Sequence, residues 1–167
     1  MEELEMQWKV AILTASDKGA RGEREDVSAQ VVRELVEDEL GGQIVDYRIV
    51  PDEQDEIMAA LIEMTEYYGA DLVITTGGTG LSARDVTPEA TLKVIDREVP
   101  GIAEAMRMGA LHKTRRAMLS RGICGTRGKA LIINLPGSPK GVSESLLAIM
   151  DQIPHALGIL SGELLEH

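Results

Sequence analysis

Cysteine occurs once in the 167 residues, at Cys124, which excludes an internal disulfide and leaves neither a CxxC pair nor a Cys/His spacing suited to a structural metal. Long apolar runs are also missing, and residues 1 to 8 carry three glutamates, so neither a membrane span nor a signal peptide is expected. These absences predict a soluble, unprocessed protein of the reducing cytoplasm, with no membrane partner. Basic residues are in deficit, 17 Lys and Arg against 28 Asp and Glu, for a net charge of -11. That balance argues against nucleic acid, whose binding rests on cations neutralising phosphates. The deficit is not uniform. Between Glu104 and Glu144 there is no acid, while Arg107, Lys113, Arg115, Arg116, Arg121, Arg127, Lys129 and Lys140 all fall there. Such a segment can attract a small anion, although a solvated loop or a subunit contact leaves the same pattern.

A hydrophobic content of 44% is enough for a real core, and no repeat, low-complexity stretch or linker divides the chain, so residues 1–167 are read as a single domain. The run from Lys9 to Thr14 is short and apolar, as a buried strand is. Asp26 or Ser28 can cap a helix carrying Val27, Val31, Val32, Leu35 and Val36, stopped by Gly41-Gly42. Val45, Tyr47 and Ile49 alternate with polar residues, which suits an edge strand. Asp52 and Asp55 stand where they could cap the next helix, stopped by Gly69, and Leu72 to Thr75 reads as a buried strand. Thr87 before Pro88 predicts a capped helix start, and Pro100 another helix reaching about His112. Ile123-Cys124 and Lys129 to Ile133 predict a hairpin turning at Gly125 to Gly128. Asn134 to Gly141 reads as a loop, followed by helices through Ile149 and from Ile153 to Leu160. The alternation predicts an α/β fold, with a mostly parallel sheet covered on both faces.

In such sheets ligands sit beyond the carboxyl ends of the strands, where three loops qualify: Thr14 to Gly22, Thr76 to Asp85 and Asn134 to Gly141. The strongest is Thr76-Gly77-Gly78-Thr79-Gly80, whose glycines admit an anion to the backbone N–H groups and whose threonines add hydroxyl donors. It matches neither the Walker A loop nor the GxGxxG fingerprint. Arg84 and Asp85 follow closely. A carboxylate beside an anion is costly unless a cation lies between them, so Asp85 invites a Mg²⁺ ion, while a helix cap or a pair with Arg84 would equally account for it. By residue type alone Asp52 is a cap. The three histidines have no metal-like spacing, Cys124 reads as a small buried hydrophobe, and the eight methionines read as core filling.

Together these motifs resemble the MogA/MoaB family of molybdenum cofactor biosynthesis, which includes the G domain of gephyrin. The carriers are Thr14-Ala15-Ser16-Asp17, Val50-Pro51-Asp52-Glu53, Thr75 to Gly80, Arg84 to Thr91, Met118-Leu119-Ser120-Arg121 and Leu135 to Lys140, spread from about Val10 to Leu160. The resemblance implies a three-layer α/β/α sandwich, usually assembled as a homotrimer or a hexamer. It also implies that the terminal phosphate of molybdopterin attacks the α-phosphorus of ATP with Mg²⁺, releasing pyrophosphate and giving adenylylated molybdopterin for a MoeA-like metal insertase. Asp52 and Asp85 then match catalytic acids, with Asp85 on Mg²⁺. Thr76, Gly77, Gly78, Thr79 and Gly80 would hold phosphates, Ser16, Asp17, Pro136, Gly137, Ser138 and Lys140 would border the substrates, and Ser120 and Arg121 would lie near the pterin. Ala83, Gly122 and Ala29 depart from common family residues, which bears on loop stiffness alone. A non-catalytic molybdopterin carrier or scaffold of the MoaB type is the alternative.

Overall fold

The computed structural model describes residues 7–163. Six strands, β1 (Lys9–Ala15), β2 (Gln43–Val50), β3 (Leu72–Thr76), β4 (Arg97–Glu98), β5 (Cys124–Arg127) and β6 (Ala130–Leu135), form one sheet in the order β2-β1-β3-β6-β5-β4. The first four in that order run parallel, and β5 and β4 close the far side antiparallel. The helices are α1 (Asp17–Ala20), α2 (Val27–Leu35), α3 (Gln54–Glu66), α4 (Thr87–Val94), α5 (Pro100–Leu111), α6 (Pro139–Ile149) and α7 (Ile153–Ser161).

The two-residue period of a strand divides the core. Val10 and Ile12 face one side of the sheet with Leu72, Ile74, Leu131 and Ile133, against α2, α5, α6 and α7. Ala11, Leu13, Val73 and Ile132 face the other, against Ile57, Leu61 and Met64 of α3 and Ala90 and Val94 of α4. This is the expected α/β/α sandwich, and each fully buried branched side chain in it contributes roughly 1.5–3 kcal/mol. Asp26 caps α2 by accepting from the Ala29 N–H at 3.2 Å, the helix widens into a π turn over Val36–Leu40, and Gly41 ends it in the left-handed region. β2 lies at the sheet edge, as its alternation predicts.

Local readings fail in identifiable places. Thr87 is already helical, and Val86 takes the cap position without a side-chain hydrogen bond. The hairpin turns at Gly128, φ 56°, because Gly125 belongs to β5: a Cβ there would lie 2.5 Å from Ile95 Cδ1 and 2.8 Å from the Arg97 carbonyl oxygen. Asn134 and Leu135 complete β6, and α6 starts at Pro139, so the third candidate loop shrinks to residues 136–138. Met64, Met106 and Met150 fill the core as expected, but Met108 and Met118 are exposed. His112 and His155 are exposed, and His167 lies outside the described residues.

Candidate functional site

The chain leaves β1 toward β2 on one side and returns to place β3 on the other, so a crevice opens where the connections diverge, at the carboxyl ends of β1 and β3. The glycine turn fills it. Gly77 and Gly78 have φ of 85° and 69°, and a Cβ would lie 2.4 Å from the Ala15 carbonyl oxygen at Gly77 and 2.2 Å from Thr87 Oγ1 at Gly78. Only glycine satisfies both the conformation and the space. The Gly77 N–H donates to the Leu135 carbonyl at 3.2 Å, whereas those of Gly78, Thr79 and Gly80 have no acceptor among the described residues. Thr87 Oγ1, buried beneath Gly78, is likewise without a partner among them.

A chain of hydroxyls supports the turn. Asp26 Oδ2 accepts from Thr14 Oγ1 at 2.6 Å and from Tyr47 OH at 2.5 Å. Thr14 also meets Thr76 Oγ1 at 3.1 Å. Since an ionised carboxylate only accepts, the Thr14 proton is committed to Asp26 and Thr76 donates to Thr14. The Thr76 proton is therefore spent on Thr14 and is not offered to the crevice that Thr76 lines, contrary to the expectation that both threonines offer donors there.

Asp52 is not a helix cap. Glu53 occupies the position before α3 without a side-chain hydrogen bond, and Asp52 exchanges bonds with Asp17: the Asp17 N–H donates to Asp52 Oδ2 at 2.9 Å and the Asp52 N–H to Asp17 Oδ1 at 3.0 Å. Burial, followed by the neighbouring charges of Asp17 and Asp85, raises the Asp52 pKa. Arg84 pairs with Asp17 and Glu53, both at 2.9 Å, and lowers the Asp17 pKa. It does not pair with Asp85, whose Oδ2 instead accepts from the Ser82 N–H at 3.0 Å. Asp52 and Asp85 thus face the same cavity, and neither forms a salt bridge among the described residues, although the charge of Arg84 reaches Asp52.

Among the described residues, no group of three or more His, Cys, Asp or Glu side chains is arranged to hold a metal. Asp52 and Asp85 on one cavity wall are a donor set that fits Mg²⁺, which takes one or two carboxylates and completes its shell with phosphate oxygens and water. Burial is the largest cause of the raised Asp52 pKa, followed by the charges of Asp17 and Asp85, which Arg84 partly offsets; a bound cation would counter both causes.

The crevice is a cavity of about 550 Å³ lined by Ser16, Asp52, Thr76, Gly77, Gly78, Asp85, Gly137 and Ser138. Sequence reasoning missed Arg24 and Glu25 on its rim and read Asp26 only as a cap. A second cavity of about 370 Å³ adjoins it between α5 and α6, lined by Ser120, Pro136, Ser138 and Lys140. Ala103, Met106 and Ala110 make its apolar floor, and Arg107 and Arg116 supply cations from the acid-free segment. Ser138 belongs to both, while its hydroxyl accepts from the Gly141 N–H at 3.0 Å and caps α6. Asp17, Thr79, Gly80 and Arg121 line neither cavity. Arg121, expected near the pterin, sits between Ser120 and Gly122 of the second cavity's wall and directs its guanidinium to the Gly80 and Asp85 carbonyls, both at 2.8 Å, and to Glu89 at 2.5 Å.

Residues 11–155 match the model of a family described as a probable molybdopterin binding domain. The chain belongs to this family. Among its relatives, a molybdopterin adenylyltransferase of Helicobacter pylori is 43% identical over 158 residues, spanning 94% of this chain and 90% of that protein. The crystal structure of the molybdopterin biosynthesis enzyme MoaB from Thermus thermophilus superimposes with a TM-score of 0.88 at 50% identity, covering 93% of this chain and 98% of that one. The tungsten cofactor synthesizing protein MoaB of Pyrococcus furiosus superimposes at 0.85 with 36% identity, covering 93% and 98%.

Proposed function

We propose that this member of the molybdopterin-binding family is a molybdopterin adenylyltransferase of the cytoplasm, joining the terminal phosphate of molybdopterin to the adenylyl group of ATP and releasing pyrophosphate. The observation that carries this reading is the pair of adjoining cavities meeting at Ser138, one lined by Gly77, Gly78, Asp52 and Asp85, the other by an apolar floor with cations.

ATP phosphates lie against the turn at Gly77 and Gly78, where the Gly78 N–H takes the anion, bordered by Ser16 and Gly137, with Thr79, Gly80 and Asp17 behind the cavity lining. The pterin lies in the cavity between α5 and α6, with Ser120, Pro136 and Ser138 at its wall and Lys140, Arg107 and Arg116 countering its phosphate charge. Asp85, with Asp52 beside it, holds Mg²⁺, which when bound neutralises charge developing on the transferred group. The protein supplies positioning and electrostatics, and few covalent steps are asked of its side chains. A homotrimer or hexamer, and delivery of the product to a MoeA-like insertase, complete the reading.

The relatives named adenylyltransferase support this activity. The MoaB of Thermus thermophilus is described as an enzyme, which supports this activity over the second reading, a molybdopterin carrier without catalysis. Purified protein given molybdopterin, ATP and Mg²⁺ is expected to release pyrophosphate and form adenylylated pterin. Tight pterin binding with neither product would establish the carrier instead.

A further inference from the structure

We propose that Arg121 is a positioning residue that fixes the segment bearing Asp85, rather than a ligand of either substrate. The inference rests on adenylyl transfer as the reaction only for its kinetic consequence; the structural claim stands on contacts within the protein.

Each nitrogen of the Arg121 guanidinium donates to a different part of that segment: Nε to the Gly80 carbonyl at 2.8 Å, one terminal nitrogen to the Asp85 carbonyl at 2.8 Å, and the other to Glu89 at the start of α4. Its backbone N–H donates to the Thr79 carbonyl at 2.8 Å. One residue therefore engages Thr79, Gly80, Asp85 and Glu89, the two ends of the loop and the first turn of the helix that follows it. The planar fork makes this possible, because five donors in fixed directions can satisfy acceptors that no flexible ammonium reaches together.

Apart from Arg121, the loop is tied to the rest of the protein through Arg84, whose exposed side chain pairs with Asp17 and Glu53, both at 2.9 Å. The remaining side chains between Gly80 and Asp85 are exposed, and the other bonds are short-range, from the Ser82 N–H to Asp85 Oδ2 and from the Asp85 N–H to the Ser82 carbonyl, both at 3.0 Å. Arg121 itself is well anchored. Arg107 from α5 donates to the Gly122 carbonyl at 2.8 Å and the Ser120 carbonyl at 3.4 Å, fastening the segment on the opposite side. Ser120 and Gly122 line the cavity between α5 and α6 while Arg121 reaches the other way. The wall of one cavity is thus tied to the acid of the other through a single guanidinium.

The test compares Arg121→Met, Arg121→Lys and Glu89→Gln by steady-state kinetics, thermal unfolding and amide hydrogen exchange. Misplacing a reacting group by about 1 Å costs on the order of 100-fold in rate, so Arg121→Met is expected to lower kcat by about that factor with the pterin KM within about threefold. Half-maximal rate should also require more Mg²⁺. Arg121→Lys should recover part of kcat, and Glu89→Gln, which leaves both carbonyl bonds, most of it. Exchange at the Ser82 and Asp85 amides should quicken in Arg121→Met, and to a smaller degree in Arg121→Lys, which serves as the test variant if the methionine chain does not fold. A pterin KM raised by about tenfold or more with kcat retained would make Arg121 a substrate ligand and overturn the proposal. An unchanged kcat would overturn it too. If the wild-type chain forms no adenylylated pterin, the adenylyltransferase reading fails on its own, and hydrogen exchange decides: quickening confined to the 80–86 segment supports the clamp, and unchanged exchange there sinks it.

Discussion

The two cavities share Ser138 but are built from opposite charge. The crevice at β1 and β3 gathers Asp26, Asp52 and Asp85 around a glycine turn, with Arg24 at the rim as the only lining cation among the described residues. The cavity between α5 and α6 has an apolar floor with Arg107, Arg116 and Lys140 against Glu144. An anion can enter the second directly. In the first, the backbone N–H groups favour phosphate while the carboxylates oppose it, so a highly charged ligand enters best with its own cation. On the proposed function, the metal-bearing substrate belongs in the crevice and the metal-free one in its neighbour, and substitutions at each should therefore fail differently.

The largest difference is expected from Asp85→Asn, which keeps shape and removes charge. Turnover should fall by roughly 10²–10³-fold, as losses of single electrostatic stabilisers do, with pterin affinity unchanged. Equal damage to pterin binding, measured by fluorescence titration, would break the division between cavities. Next comes Gly78→Ala. Its φ of 69° and the 2.2 Å approach to Thr87 Oγ1 force the turn to move, so activity should drop at least tenfold and stability by about 1–3 kcal/mol in denaturant unfolding. A fully active alanine variant would show that the turn carries no phosphate. A smaller effect is expected at Lys140, which is 84% exposed and only 4.0 Å from Glu144. Lys140→Ala should raise the pterin KM by a few fold, an effect that shrinks as salt rises because exposed charges are screened over about 10 Å at 0.1 M. A change in the ATP KM instead would place this lysine with the nucleotide.

How much of this contrast is legible in the sequence depends on range. The glycine turn and the strand before it are local signals, and the structure has them where length and composition predict. Gly125 misleads because glycine reads as a turn residue, whereas here the crowding by Ile95 and Arg97 demands it within a strand. β4, only two residues long, has no period to detect. Thr87 preceding proline carries the signature of a cap, yet its hydroxyl is drawn beneath Gly78 by the return of the chain. The cavity between α5 and α6 is the least legible part. Arg107, Ser120 and Lys140 are separated in sequence and meet only through packing, so the acid-free segment shows the cations but not the cavity that some of them line.

Asp52 offers the finest discrimination, because there function and stability should move in opposite directions. Its pKa is raised by burial first and then by Asp17 and Asp85, so ionising it costs the folded state more than the unfolded one. The sign follows from proton binding. Below the ordinary aspartate value of 3.8 the group is protonated in both states and imposes no penalty; as pH climbs through its raised folded value the penalty develops and remains. Asp52→Asn removes that charge while its side-chain oxygen still accepts the Asp17 N–H. The variant should therefore unfold at a higher temperature than the parent at neutral pH, by on the order of 2 °C, with the gap closing as pH approaches 4. Turnover should be largely lost under the same neutral conditions. Scanning calorimetry across pH, without added Mg²⁺, measures the difference; a parent that is the more stable at neutral pH would mean that the crevice already neutralises its acids, and that a nucleotide would not need to bring a cation with it.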